Sequence, residues 1–177
     1  MSASFSSHCR MNNWSSDNEN LINKQINLEL FASHSYTALS AFFLSDDVGF
    51  PGIAAYFKKA SDEEMEHARA FIGYQTNRGG LVNIDSLDSP RSFHSDESGD
   101  SIVLSAFKRA LDLEQTVYNS ILNISKTCDD PALEDFLDDF LKEQLEGQYK
   151  LGIIISQLKR IGTDGHGLYQ FDKDMSS

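Results

Sequence analysis

Several features that often reveal a protein's class are scarce in this sequence. Only two cysteines occur, Cys9 and Cys128, which is too few for a disulfide framework, so we expect reduced thiols and a cytoplasmic protein. Residues 1–16 are polar and lack the apolar core that a secretory signal peptide needs. No run of about 18 apolar residues occurs, so the sequence predicts no membrane-spanning segment.

Basic residues are also in the minority. The chain has 15 lysines and arginines against 27 aspartates and glutamates, and its net charge is −12. Phosphate backbones bind to basic surfaces, so this balance argues against nucleic acid as a partner. Cations are the natural partners of such a chain, although an acidic surface that serves only solubility would give the same charge.

Prolines are few, and Pro51, Pro90 and Pro131 stand between long periodic stretches. Four amphipathic stretches of about 25–30 residues each predict an all-α protein. They run over about Ser16–Leu44, Gly52–Arg78, Asp100–Cys128 and Pro131–Arg160. Asp130 is the expected N-cap of the fourth, and Gly165–Asp174 predicts a short fifth helix. We expect a flexible extension over residues 1–15 and one domain over residues 16–177.

The connections between the stretches predict how the helices pack. Short connections join the first to the second and the third to the fourth, so each pair should be antiparallel. The segment from Gly80 to Gly99 is polar and long, and such a segment reaches about 60 Å when extended, whereas a helix of 27 residues is about 40 Å long. The sequence predicts a long crossover that makes the second and third helices parallel. A slack loop between antiparallel neighbours is the alternative.

Polar residues interrupt the apolar face of each long helix near its middle. Residues spaced alternately four and three apart share one helix face, and these faces are apolar toward both ends. The interruptions are, from the first helix to the fourth, Glu29 with Tyr36, then Glu64 with His67, then Glu114, and finally Gln144. Helices of equal length packed side by side bring their midpoints to one level, so these side chains should meet in an otherwise apolar core.

Three carboxylates in an apolar core need a counter-charge. No lysine or arginine lies on these faces at that level, so a bound cation is the expected source. Glu64 and His67, at i and i+3, place an oxygen and a nitrogen ligand on one face, and a carboxylate-rich set with one imidazole favours iron or manganese. Any one of these residues could be a surface residue or a chance pairing. Their coincidence on four helices favours a metal site.

Several motifs along the chain together resemble the ferritins, from about Asn20 to Lys173. The motifs are Ile26–Ser33, Glu63–Ala68, Arg78–Gly80, Ala110–Glu114, Glu143–Gln144 and Phe171–Lys173. The resemblance is to the heavy-chain type, which oxidises iron, and not to the light-chain type, which lacks the oxidation centre. It implies a ferritin-like four-helix bundle with a long crossover between helices two and three and a short fifth C-terminal helix.

The resemblance also implies a function. Ferrous iron would be oxidised by dioxygen at a di-iron centre and deposited as ferric mineral inside a hollow shell of 24 subunits, with or without a second subunit type. The resemblance implies that the iron ligands are Glu29, Glu64, Glu114 and His67, and that Glu64 bridges the two ions. It also implies that Glu63 and Gln144 lie close by and that Tyr36 forms a hydrogen bond at the site. The residues expected in the three-fold channel for ferrous iron are Asp135 and Asp138, and those near the four-fold axis are His166, Gln170 and Asp174.

The sequence departs from the family pattern in three places. Val117 follows Glu114 by three residues, where a symmetric di-iron bundle has a second histidine, so the second ion should be held weakly. The loop after Gly80 is longer than is common, and Arg69 stands where an acidic residue would help mineral to nucleate. Two rival functions are a di-iron oxygenase or peroxidase for a small molecule, and a shell subunit without an oxidation centre.

Overall fold

The computed structural model describes residues 14–90, 101–162 and 165–176, and its regular elements are five helices. They are α1 (Ser16–Leu44), α2 (Pro51–Asn77), α3 (Ile102–Thr127), α4 (Pro131–Ile161) and α5 (Gly165–Met175). Every predicted helix is present, with ends one or two residues from the expected positions at most. Within the described ranges, no helix is both long enough and apolar enough to cross a membrane.

Contacts between aromatic rings show which helices run in the same direction. Phe43 at the end of α1 stacks on Phe57 near the start of α2, with ring centroids 5.8 Å apart, so these two helices are antiparallel. Tyr56 and Phe107 both lie near the starts of their helices, and their centroids are 5.3 Å apart. Helices α2 and α3 are therefore parallel, and the predicted long crossover is confirmed.

Apolar side chains form two clusters, one toward each end of the bundle. One contains Phe57 and Phe107, and the other contains Ile26, Phe71 and Ile121. All five side chains are fully buried. Burial of each such side chain stabilises the fold by about 1.5–3 kcal/mol. The polar residues singled out by the sequence lie in the layer between the two clusters, except Tyr36, whose ring belongs to the first cluster.

The apolar face of α4 shifts by one residue toward its end. The sequence pattern predicts Ile154 on the buried face, but the structure buries Ile155 and leaves Ile154 half-buried. A strict four–three spacing has a period of 3.5 residues, whereas a straight helix turns once in 3.6, so the face drifts by about 20° per heptad. Over 31 residues this drift is large enough to change which side chain points inward.

The start of α2 is capped by a residue far away in the chain. Phe50 at its N-cap position makes no side-chain hydrogen bond to the helix. Instead, the backbone N–H of Ile53 donates to the Asp172 carboxylate of α5, at 2.8 Å. A Cβ atom on Gly52 would lie 1.7 Å from the backbone oxygen of Asp172, so the close approach of α5 requires glycine there.

The N-terminal residue that the structure describes is packed onto the bundle. Trp14 is 2% exposed, and the Arg78 guanidinium lies 4.7 Å from its ring centroid. A Cβ on Gly80 would meet the Trp14 indole nitrogen at 2.6 Å. Trp14 and Ser15, the N-cap of α1, thus belong to the bundle rather than to the predicted flexible extension. The rest of that extension, residues 1–13, lies outside the described residues.

Candidate metal centre

The predicted site residues meet between the two apolar clusters. They are Glu29 and Tyr36 of α1, Glu64 and His67 of α2, Glu114 of α3 and Gln144 of α4. Five of the six are buried and His67 is half-buried, while the predicted neighbour Glu63 is exposed. The interruptions of the four apolar faces therefore do converge at one level.

Glu29, Glu64 and His67 form the tightest group. One potential ligand atom from each lies within 4.8 Å of the others. The spacing of Glu64 and His67 on one face of α2 brings Nδ1 of the imidazole 3.5 Å from a carboxylate oxygen of Glu64. Two carboxylates and one imidazole around a common point are a donor set that suits iron or manganese.

Glu114 and Gln144 lie beside this triad rather than in it. The Tyr36 hydroxyl donates a hydrogen bond to Glu114. Both Glu114 and Gln144 line a cavity of about 460 Å³, which Glu64 also lines. The cavity gives room for a second ion between Glu64 and Glu114. Glu63, which precedes Glu64 in α2, also lines this cavity.

Two residues to which the sequence analysis gave no role at the site also contact it. The Gln25 side-chain amide donates to Glu29 at 2.7 Å from one turn earlier in α1. Gln25 lies four residues before Glu29, and this spacing places both on one helix face, so the sequence could have indicated the contact. A carboxylate oxygen of Glu143 lies 3.4 Å from Nε2 of His67. Glu143 is largely exposed, so no break in an apolar pattern marks it.

Several buried polar atoms at the site have no hydrogen-bond partner among the described residues. They are Oε2 of Glu29, Oε2 of Glu64, Nδ1 of His67 and Oε1 of Gln144. A buried acceptor left without a partner costs about 1–3 kcal/mol, and more when it is charged. The unpartnered atoms of Glu29, Glu64 and His67 belong to side chains that come close together, and they form a donor set that a cation would complete.

Burial changes the proton affinities of these side chains. The pKa of Glu29 is raised well above its ordinary value by burial and by the nearby Glu64. Burial, together with the charge of Glu114, raises the pKa of Glu64 to about 8. The pKa of the Tyr36 hydroxyl is also raised, by burial and by Glu114, so Tyr36 remains a hydrogen-bond donor at neutral pH.

The protein supplies little positive charge to this cluster. Among the described residues, Arg78 is the one buried cationic side chain, and it pairs with Asp130 at the end of α2. Lys59 lines the cavity, but it is exposed and its ammonium lies 3.2 Å from Glu63. A metal ion is therefore the counter-charge that best fits the buried carboxylates.

The residues expected at shell channels lie on the surface of the subunit. Asp135 and Asp138 are exposed in the first turns of α4. His166, Gln170 and Asp174 are exposed on α5, and the Gln170 amide donates to Asp174 at 2.7 Å. A channel role for these residues stays a prediction.

Comparison with known proteins agrees with the bundle and its polar centre. The chain matches the family described as Ferritin-like domain over residues 19–161. It is 41% identical over 167 residues to the ferritin middle subunit of Aquarana catesbeiana, which covers 91% of this chain and 92% of that protein. The chain belongs to the ferritin family.

Other relatives extend the comparison. Ferritin-2, chloroplastic, of Zea mays is 41% identical over 162 residues, which is 89% of this ferritin chain but 64% of the maize protein. The crystal structure of ferritin from the green alga Ulva pertusa superposes with a TM-score of 0.90 at 36% identity, over 99% of this chain and 90% of that one. The predicted ferritin-like fold is thus confirmed. Because the maize relative is named as chloroplastic, the cytoplasmic location stays a prediction.

Proposed function

We propose that this ferritin is an iron-storage subunit of the heavy-chain type. It oxidises ferrous iron with dioxygen at the site in its core and deposits the product as ferric mineral inside a closed shell. The observation that carries the proposal is the triad of Glu29, Glu64 and His67 in the core, with unpartnered donor atoms. Among the described residues, the one buried lysine or arginine is Arg78, which pairs with Asp130 instead.

Two ferrous ions enter the site as substrates. Glu29, Glu64 and His67 bind the first, and Glu64 and Glu114 bind the second, so that Glu64 bridges them. Each ion gives one electron to dioxygen, which takes up two protons and leaves as hydrogen peroxide. The protons that the carboxyl groups hold in the metal-free state are displaced when iron binds, because only the deprotonated oxygens are good ligands.

The second ion is held more weakly than the first. Val117, one turn after Glu114, is buried and apolar, so α3 contributes no imidazole. Tyr36 donates to one Glu114 oxygen and leaves the other for the ion. Gln144 offers a neutral oxygen, which binds a cation less strongly than a carboxylate does. Weak retention suits a product that must move on to storage.

The lining of the 460 Å³ cavity favours ions over an organic substrate. It includes Glu63, Glu143 and Glu146, two lysines, and every proposed ligand except Glu29. Such a surface attracts cations and gives little apolar contact to a small organic molecule. A shell subunit without an oxidation centre would have no reason to bury three carboxylates together. Both rival functions are therefore less well supported.

The shell part of the proposal extends beyond the single chain. We propose 24 subunits, of this chain alone or mixed with a second ferritin subunit. Asp135 and Asp138 would line the channels through which ferrous iron enters, since rings of carboxylates attract cations. Mineral nucleation would involve Glu63 and Glu66. Arg69 on the same helix would slow it by repelling ferric ions.

The double substitution Glu64→Lys, His67→Gly tests the oxidation centre. The new ammonium takes the place of the metal as the partner of Glu29 and Glu114, so the fold is expected to persist while fast oxidation is lost. Stopped-flow absorbance after mixing with two ferrous ions per subunit gives the rate. Asp62→Lys, an equal charge change at an exposed position of α2, is the matched control. Unchanged oxidation in a folded double variant would refute the proposal.

A further inference from the structure

Two cavities meet at Tyr36. The first is the 460 Å³ cavity of the candidate metal centre. The second, of about 240 Å³, lies between α1 and α3, and Pro90 of the crossover also lines it. Tyr36 is the one residue, among those described, that lines both. Tyr36 is thus a wall that the space between α1 and α3 shares with the space that would hold the ions.

The two cavities differ in chemistry. The first is lined by five glutamates and two lysines. The second is walled mainly by carbon atoms, from side chains that include Phe31, Leu39, Ala110 and Leu113. Arg109 and Asp112 contribute to its lining as well. The first cavity suits a divalent cation, and the second suits a small neutral molecule.

We propose that the cavity between α1 and α3 is the entrance for dioxygen. The proposal rests on the proposed function, because only an oxidation reaction needs this second substrate. Dioxygen is small, uncharged and apolar, so it gains free energy on leaving water for an apolar cavity, while ferrous ions are attracted to the carboxylates. The two substrates would then reach the site from opposite sides of Tyr36 and would not compete for one path.

Tyr36 is positioned to separate the cavities without sealing them permanently. Its side chain is 1% exposed, and its ring stacks on Phe57 with centroids 6.0 Å apart. Its hydroxyl donates to Glu114. Dioxygen in the second cavity would therefore contact the Tyr36 ring, whose hydroxyl is bonded to Glu114, a proposed ligand of the second ion. Small displacements of side chains are enough to pass a diatomic molecule and occur on the picosecond-to-nanosecond scale.

Ser35→Trp tests the entrance by filling it. Ser35 lines the cavity and is half-buried. Its hydroxyl donates to the Phe31 carbonyl of its own helix, at 2.8 Å. The initial rate should saturate at a dioxygen concentration about threefold higher or more, with the dependence on ferrous iron unchanged. His34→Trp places the same bulk one residue away at an exposed position outside the cavity and should match the unmodified protein.

Xenon provides a measurement that does not depend on oxidation. Xenon binds apolar cavities, so crystals held under xenon pressure should show an anomalous peak between α1 and α3 in the unmodified protein and none in the Ser35→Trp variant. If the tryptophan variant fails to fold, Ser35→Phe fills less of the cavity and serves in both experiments.

The outcomes separate this inference from the proposed function. If the unmodified protein does not oxidise ferrous iron, both the proposed function and the proposed dioxygen entrance are refuted. Fast oxidation with the same dioxygen dependence in the folded Ser35 variants refutes the entrance alone. A changed dependence on ferrous iron, with dioxygen dependence unaltered, shows that the cavity serves the metal or another molecule, and that result also refutes the entrance.

Discussion

Glu64 is largely protonated in the metal-free protein at neutral pH, because burial and the charge of Glu114 raise its pKa to about 8. In the unfolded chain the same carboxyl has an ordinary pKa near 4.5. The folded protein therefore binds more protons than the unfolded chain between these two values. Glu29, whose pKa is also raised by burial, adds to the difference.

The metal-free protein should lose stability as the pH rises from about 4.5 to about 8, since the unfolded state is favoured by deprotonation in this window. The slope is about −1.4 kcal/mol per pH unit for each extra proton held by the folded state. Thermal unfolding of metal-free protein across this range gives the profile. Glu64→Gln should flatten the profile, while Glu66→Gln, at an exposed position of α2, should not. Equal slopes in both variants would contradict the assignment.

The residues of the site differ in how far the sequence could predict them. Glu29, Glu64 and His67 are visible because each replaces an apolar residue on a regular helix face. Glu143 touches His67 from an exposed position, where polar residues are the rule, so no break in an apolar face distinguishes it. It was named only within the Glu143–Gln144 motif, without a role at the site. The hydrogen bond from Tyr36 to Glu114 joins residues 78 positions apart and depends on packing between α1 and α3.

The N-cap residue of helix α4, Asp130, makes two kinds of contact. The Asp130 side chain accepts hydrogen bonds from the backbone N–H groups of Ala132 and Leu133, and it also pairs with the buried Arg78 at the end of α2. Its pKa is lowered, although burial opposes this, because the Arg78 guanidinium and the backbone N–H groups favour the charged form. The start of α4 is thereby fixed to the end of α2.

Asp130→Ala should destabilise the protein by about 3–5 kcal/mol, because it leaves the Arg78 charge buried without its partner and also removes the cap. Asp130→Asn keeps a capping oxygen and should cost less. Denaturant unfolding followed by fluorescence measures both, since Trp14, the sole tryptophan, lies against Arg78. A loss below about 1 kcal/mol in the alanine variant would show that the ion pair is not stabilising.

Helix ends were predictable where a local residue defines them, as Asp130 and Pro131 do for α4. The start of α2 was less predictable, because its capping carboxylate comes from Asp172, which is 119 residues away from the capped N–H. The inward face of α4 was predictable at its middle and not toward its end, where Ile155 replaces Ile154 through helical drift. Local signals specify elements, whereas contacts between elements need the fold.

The single chain leaves apolar side chains uncovered. Leu145, Tyr149 and Ile153 repeat every four residues along α4 and are 54%, 72% and 42% exposed. A contiguous apolar stripe of this kind typically marks a protein interface. We expect one large, uniform particle of several hundred kilodaltons in sedimentation-velocity experiments at neutral pH, consistent with the proposed shell. A stable monomer or dimer would contradict that expectation.

Iron entry into the assembled particle should depend on Asp135 and Asp138. Replacing both with alanine should slow oxidation at low ferrous concentration and leave the rate at saturation unchanged, because the core ligands are untouched. Stopped-flow absorbance over a range of ferrous concentrations measures this. The pair Glu134→Ala, Asp139→Ala removes the same charge from neighbouring exposed positions and is the control. Equal slowing in both variants would indicate a general surface effect.

The contact between α5 and the start of α2 sets an order of events during synthesis. The Ile53 N–H that Asp172 caps is made 119 residues earlier. At about 5–20 residues per second, a ribosome takes about 6–24 s to add that much chain. Through this interval the first turn of α2 lacks its cap, and the surface that receives α5 stays open. The protein therefore completes its fold only after Asp172 has emerged from the ribosome, when this capping contact can form.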